Sequence, residues 1–421
     1  MKYRPQIPVH LPFRKWPSRI LDRSFDIVSV DLRDGNQSLP NPMNITQKIK
    51  YFQMLCAVGF KTIEVAFPVA SSIDYDFVRT LILDELIPND VTIQVACSSK
   101  IEHLAKTIEC LNGCERAVLD YYTPNSPSQR RYVFNKTKSE MLRMAVDGAK
   151  FIKANAPHLI CEYTLESGTA TEPDYAIEIA SAIMDVIGKG VITLAATVEL
   201  FSPNVFADYV EYFIDNLHNK NAMICVHPHN DRGTAVAATE LAILAGASRV
   251  EGCLFGLGER TGNVDIMTLS LNYMQQGIST GLDFSNLPHI KEVYEECTNM
   301  RISPRHPYVG DLVFSAFSGG HQDAIAKSLS RYKKNGPWDI PYLHIDPADI
   351  GREYQPIRIN GQSGSSGIAF IMKSHFGIEL NLDEKKMLAN AVQSYCDANH
   401  CEIKPEEIKK LWESICENCE C

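Results

Sequence analysis

Three short segments hold the side chains best able to do chemistry. HPHND at 227–231 closes an apolar run that reads as a strand. Residues two apart in a strand project to one face, so His227 and His229 point the same way. Two imidazoles on one face begin a divalent-metal site, although two histidines hydrogen-bonded at a strand end would look the same. DLRDGNQ at 31–37 ends another such run and offers Asp34 as a carboxylate ligand, with Arg33 as a fixed cation beside it. Added to the histidines, Asp34 makes a two-His, one-carboxylate set. A plain turn is the competing account, since Asp, Gly and Asn favour turns. GLGERTGN at 256–263 supplies Gly-rich backbone able to cradle an anion, and Asn263 as an amide ligand. Glu64, Glu166 and Thr197 lie in or just past apolar runs, where an inward polar group needs a partner. For each of these alone, a structural hydrogen bond is the simpler account.

The elements that must position these groups alternate regularly. Strand-like runs fall at 25–31, 62–67, 92–97, 116–122, 159–166, 191–197, 223–227 and 249–255, with helical patterns between them at 46–58, 73–86, 136–154, 173–188, 204–218 and 233–245. Continuously apolar strands point to a parallel sheet covered by helices. Eight such units over about 250 residues predict a (β/α)8 TIM barrel, whose chemistry sits at the C-terminal ends of the strands. In a closed barrel the first and seventh strands come close enough to join Asp34 to the histidines. A doubly wound sheet is the alternative, weakened because no Gly-x-Gly-x-x-Gly turn follows the first strand. The predicted division is an N-terminal extension (1–24), the barrel (25–284), a first C-terminal subdomain (285–367) and a helical second one (368–421). Within these, helices are expected near 321–333, 383–399 and 404–418.

Composition bounds the rest. The 421 residues are 45% hydrophobic and 22% charged, with net charge −10, an ordinary globular balance that argues against a nucleic-acid platform. No apolar run reaches the ~18–20 residues of a membrane span, and the Arg- and Pro-bearing start lacks a secretory core. Thirteen cysteines, mostly isolated among apolar neighbours, predict reduced thiols in a cytoplasmic protein. The CENCEC tail has a CxxC spacing, but no second pair suggests zinc.

LRDGNQ, HPHND and GERTGN, in this order, resemble the DRE-TIM metallolyase superfamily. The longer segments HPHNDRGTAVAATELA (227–242), RHPYVGDLVFSAFSGGHQDAI (305–325) and PYLHIDPADIGR (341–352) resemble the 2-isopropylmalate synthases more closely. That resemblance implies a Claisen-type condensation of acetyl-CoA with a 2-oxo acid, then thioester hydrolysis to a 2-alkylmalate and CoA. It implies a divalent metal (Mg, Mn or Zn) on Asp34, His227 and His229, with Asn263 nearby or ligating. Arg33 would face the oxygen that becomes an alkoxide. Thr197 would grip the substrate carboxylate, with Glu166 near the reacting carbons. Gln37, Asp120, Tyr122, Thr164 and Thr193 would complete the substrate contacts. His321 and Tyr342, in the C-terminal region, match the base that takes the acetyl proton and its companion. In relatives that region reaches over the neighbouring barrel, implying a homodimer with shared active sites.

Departures cluster on the acceptor side. Where the family reads Gly-Phe-Pro, Ser-Pro-Glu, Asn-Leu-Pro-Ala-Thr and a strand-four His, this chain has Ala66-Phe67-Pro68, Thr164-Leu165-Glu166, Thr193-Leu194-Ala195-Ala196-Thr197 and Asp120. Such wall changes redirect which 2-oxo acid reacts without touching the chemistry. Two accounts stand: an alkylmalate or homocitrate-type synthase with another acceptor, or drift in an ordinary isopropylmalate synthase. A C–C lyase of the same superfamily is a further alternative. Long members continue into a leucine-sensing domain for which this sequence leaves no room, so little leucine feedback is expected.

Overall fold

The computed structural model describes residues 9–22, 24–333, 336–352 and 358–419. They form two compact units, one of residues up to Asp283 with 292–300, the other of 284–291 and 301 onward.

The first unit is a closed barrel of eight parallel strands, each paired with the next in sequence and the last with the first. The strands are β1 (Asp26–Ser29), β2 (Thr62–Ala66), β3 (Thr92–Ser98), β4 (Ala117–Pro124), β5 (Ile160–Glu166), β6 (Gly190–Ala196), β7 (Ala222–Pro228) and β8 (Arg249–Gly252). The helices are α1 (Ile45–Val58), α2 (Ser72–Leu83), α3 (Ile101–Cys110), α4 (Lys138–Asn155), α5 (Pro173–Ile187), α6 (Pro203–Asn216), α7 (Ala235–Ala245) and α8 (Ile266–Gln275). Local chemistry starts and stops them. Asn44 and Thr137 form capping boxes with Gln47 and Glu140. Pro173 and Pro203 occupy first helical turns, where the missing N–H costs nothing. Gly59, at φ +108°, ends α1 in a conformation that a Cβ would resist.

β1 and β8 end earlier than the apolar runs suggest. After Ser29 the chain enters a π-helical turn, Asp31–Gly35. Buried Asp31 holds it, accepting from Ser29 Oγ (2.7 Å), Tyr51 Oη (2.9 Å) and the Leu254 amide (3.1 Å). Burial pushes this carboxyl up to about 7. From α1, fully buried Lys48 donates to the Leu32 carbonyl (3.1 Å) and to Asp74 of α2 (2.6 Å). The turn that carries Arg33 and Asp34 is therefore clamped from both neighbouring elements.

The N-terminal segment is tied to the barrel's outer face. Arg14 donates to Asp208 through Nε and Nη2 (2.7 and 2.9 Å), and the Lys15 and Trp16 amides donate to Glu211, both acids lying on α6.

α9 (Leu287–Thr298) follows the barrel, then α10 (Gly319–Leu329), α11 (Ser365–Phe376), α12 (Leu382–Asn399) and α13 (Pro405–Cys419). Ile359, Ile368, Met372, Leu388, Val392 and Ile408 form the core of the last three helices. The sequence rhythm does not single out α9 or α11. In α11 the apolar cluster IAFIM follows a Gly/Ser-rich turn that conceals the helical period. Towards the C-terminus, Cys396 is buried, Cys401 exposed and Cys416 half-buried. Of the tail, Cys421 lies outside the described residues, as does the Cys419 side chain. Among the described residues no helix is long and apolar enough to cross a membrane.

Candidate active site

The barrel mouth gathers most of the predicted residues around one cavity of about 280 Å³. Asp34 from the turn after β1, His227 at the end of β7 and His229 just beyond it are all nearly buried, and their ligand atoms lie within 4.8 Å of one another. Asp34 Oδ2 is 3.3 Å from His227 Nε2 and 3.6 Å from His229 Nε2. The loops after β7 and β8 pair through His229 and Asn263, and Asn230 N donates to the Gly262 carbonyl (2.9 Å). That pairing delivers Asn263, whose Nδ2 donates to Asp34 Oδ2 (2.9 Å). Glycine is required here: Gly258 (φ +147°) and Gly262 (φ +91°) have left-handed backbones, and a Cβ on either would run into Asn263 or the Gly256 carbonyl.

The donor set suits a cation. Among the described residues Asn263 Oδ1 and His229 Nδ1 are buried without a partner, which is costly unless something else is bound. Burial lowers the His229 imidazole to about 4, as does the charge of His227, keeping it in the neutral, ligating form. Burial opposes ionisation of Asp34, but Arg33 and the two histidines hold it well below the ordinary carboxylate range. His227 Nδ1 donates to Glu251 (2.9 Å), which fixes its tautomer and leaves Nε2 for an ion. Between Asp34 and Glu251 the His227 site draws positive charge strongly: despite burial, its own proton is held up to about 10.

Glu251 belongs to a polar layer beneath the cavity, of which the sequence reading singled out only Glu64. Gln94 Nε2 donates to Glu251 (2.8 Å) and its Oε1 accepts from Arg249 Nη2 (2.5 Å). Arg249 Nη1 donates to Glu162 (2.6 Å), and Arg33 Nε donates to Glu64 (2.5 Å). Glu162, Cys225 and Glu251 also converge closely enough for an ion, but the Arg249 guanidinium already supplies the positive charge there. Replacing Glu251 with Gln removes the negative charge behind His227 and leaves one acceptor oxygen for two donors, His227 Nδ1 and Gln94 Nε2. Metal affinity should fall about 10–100-fold, measured by competition against a calibrated chelator. An unchanged affinity would show that His227 needs no carboxylate behind it.

The predicted substrate residues divide. Arg33, Gln37, Asp120, Tyr122, Thr164, Glu166 and Thr197 line the cavity together with Asp34, His227 and His229. Thr193 does not. It is fully buried and its hydroxyl donates to Glu162, because inward-facing Thr193, Ala195 and Thr197 climb β6 in steps and Thr193 is the deepest. Asn263 stands behind Asp34, outside the cavity lining. Thr197 Oγ1 accepts from the Ser167 amide (2.9 Å). Glu166 Oε1 accepts from Gln129 (3.3 Å), Oε2 is buried without a partner among the described residues, and burial raises its pKa. Arg260 and Glu259, not anticipated as cavity residues, also border it. Arg260 is held by Asp231 (2.6 Å) and by the Thr197 carbonyl (2.5 Å). His321 and Tyr342 belong to the second unit, where their rings stack at 3.9 Å. Tyr342 is 61% exposed with φ +67°, an uncommon backbone for a bulky residue.

Comparison with known proteins agrees with this geometry. The HMGL-like family model matches residues 24–293, and the model of the alpha-isopropylmalate synthase post-catalytic domain matches 311–373. The chain is 47% identical to a 2-isopropylmalate synthase of Clostridium acetobutylicum, over 98% of this chain and 76% of that protein. It is also 47% identical to one of Ralstonia nicotianae, over 98% and 74%. Among solved structures, the HMG-CoA lyase of Bacillus subtilis aligns with TM-score 0.57 at 19% identity, covering 68% of this chain and 97% of that one, a likeness of fold. Together, the matched domains and the extent of identity place the chain in the 2-isopropylmalate synthase family of acyltransferases.

Proposed function

We propose that this chain condenses the acetyl group of acetyl-CoA with a 2-oxo acid and hydrolyses the thioester, giving a 2-alkylmalate and CoA. The reaction is that of its 2-isopropylmalate synthase relatives, which would place it in cytoplasmic leucine-type amino-acid biosynthesis. The observation carrying this reading is the convergence of Asp34, His227 and His229 beside the Arg33 guanidinium at one barrel mouth. Asp34, His227, His229 and the Asn263 Oδ1 would hold a divalent ion (Mg, Mn or Zn), which when bound supplies Lewis-acid polarisation of the 2-oxo group. Arg33 places a fixed charge where the carbonyl oxygen becomes an alkoxide. Thr197, its Oγ1 already accepting from Ser167, has its hydroxyl proton available for the substrate carboxylate.

The acetyl methyl is a weak acid and needs a positioned base. His321 takes that proton, with Tyr342 stacked on it, and the carbanion carbon bonds to the keto carbon as the oxygen gains a proton. Water then cleaves the thioester. Glu166, a carboxyl with a raised pKa beside the reacting carbons, suits proton transfer in the hydrolytic half. As the second unit supplies His321 and Tyr342, a homodimer with exchanged C-terminal regions is part of this reading.

The test is thiol release from acetyl-CoA across a panel of 2-oxo acids, with Mg²⁺, Mn²⁺ or Zn²⁺ and with chelator. Release with at least one acceptor, abolished by chelator, is expected. No release with any acceptor and metal removes the reading.

A further inference from the structure

One wall of the cavity has chemistry that a branched hydrocarbon cannot use. Arg33, Thr197 and the Asp34–His227–His229 set hold the reacting end of a 2-oxo acid if the function above is right. The substrate side chain then faces the strands opposite, β3 to β5. There the lining is Ala96, Asp120, Tyr122 and Thr164, closed on one flank by Ala195.

Asp120 is 2% exposed, yet it borders the cavity. Thr164 Oγ1 donates to its Oδ1 (2.8 Å), and among the described residues no other group hydrogen-bonds to it. Among the described residues no cation is bonded to it, although the charge of Arg33 reaches it. Arg33 is bound to Glu64 and Asp34, and Arg249 to Glu162 and Gln94. The second carboxyl oxygen therefore has only the cavity to turn to. A plain alkyl chain would strip water from that oxygen and offer nothing in return.

Resting on the function proposed above, we infer that the acceptor is a 2-oxo acid whose side chain carries a hydroxyl, bound by Asp120 and Thr164. A second carboxylate is excluded, because the charges of Glu162, Glu64 and Glu251 also act on Asp120 and would repel it. A cationic side chain is disfavoured, since burial and these acids push the Asp120 carboxyl far towards its neutral form. A neutral acid and a hydroxyl satisfy each other in either direction. Ala96 and Ala195 leave room beside the carboxyl, and the aromatic rings of Tyr122 and Phe67, edge to face at 6.2 Å, can enclose the apolar stem.

The experiment compares kcat/KM, by CoA release from the full chain with metal, for pairs of 2-oxo acids differing only by a hydroxyl. Suitable pairs are 4-hydroxyphenylpyruvate with phenylpyruvate, and 4-hydroxy-2-oxobutyrate with 2-oxobutyrate. 2-Oxoisovalerate, 2-oxoglutarate and 2-oxo-5-guanidinopentanoate complete the panel. In at least one pair the hydroxylated acid should exceed its partner by about ten- to a hundredfold, and should exceed 2-oxoisovalerate. Asp120→Leu should erase that ratio and Asp120→Asn retain part of it. Because the ratio is taken within one preparation, partial misfolding cancels. If Asp120→Leu gives no folded protein, Thr164→Val should reduce the same ratio. Best turnover of 2-oxoisovalerate, preference for the guanidino acid, or a ratio indifferent to Asp120→Leu would each overturn the inference while leaving the condensation standing. No CoA release with any acceptor removes both.

Discussion

Replacing Arg249 with Met should destabilise the barrel by about 3–5 kcal/mol, read as a lower denaturant midpoint at neutral pH. The guanidinium is 4% exposed and donates to Glu162 and Gln94 inside the barrel. Without it, Glu162 and Glu251 lose the guanidinium between them and Gln94 Oε1 loses its donor, so the loss is that of a buried partnered network rather than of one contact. The effect should depend on pH. Burial, with Glu251 nearby, raises the Glu162 carboxyl to about 8 even though Arg249 opposes this. A carboxyl raised in the folded state contributes stability below its unfolded value of about 4.3, and loses it as pH climbs towards the folded one. Removing Arg249 raises the folded value further, so the variant's deficit should widen between about pH 7 and 9. Adding Glu162→Gln should recover much of the loss. A single-variant loss under about 1 kcal/mol, or a deficit flat with pH, would show that water or rearrangement already neutralises this layer.

That layer also marks where the sequence was readable and where it was not. The barrel was legible because eight apolar runs separated by helical periods leave few other folds. The metal cluster was legible because the spacing of His227 and His229 obliges them to share a face. Of the groups beneath, only Glu64 was singled out; Gln94, Glu162, Arg249 and Glu251 were passed over, since in TIQVAC, ICEYTLE and RVEGC the polar residues are scattered within otherwise apolar runs. Read by alternation, Glu64, Gln94, Glu162, Arg249 and Glu251 are charged or amide groups forced inward, and inward polar groups must find one another. Thr193 was misplaced by the converse omission: its depth along β6, not its polarity, decides that it meets Glu162 rather than substrate. No spacing rule could reveal that Asn263 reaches Asp34, because this depends on two loops crossing at left-handed glycines.

Arg33→Lys should lower kcat by about 10²–10³-fold, while KM for the 2-oxo acid moves less than about tenfold. Arg33 Nε donates to Glu64 (2.5 Å), and its Nη1 lies 3.3 Å from Asp34. Burial works against its charge, but the two carboxylates hold the proton on firmly, so the group is a permanent cation fixed at both ends. Such a group gains little from a neutral keto oxygen. In the proposed reaction it would gain much from the alkoxide that condensation creates, and that difference is what accelerates a reaction. Lysine keeps the charge but loses the planar fork. An ammonium following Glu64 draws away from Asp34 and from the reacting oxygen. The comparison with Arg33→Ala separates charge from geometry: if position is what matters, both variants lose similar amounts of kcat. Metal affinity, measured in parallel, should stay within about tenfold in Arg33→Lys, because Asp34 still has His227, His229 and Asn263 around it. A variant that lost KM and kept kcat would instead make Arg33 a ground-state clamp for the substrate carboxylate, and the alkoxide would need another donor from the same mouth, of which Arg260 is the nearest in kind.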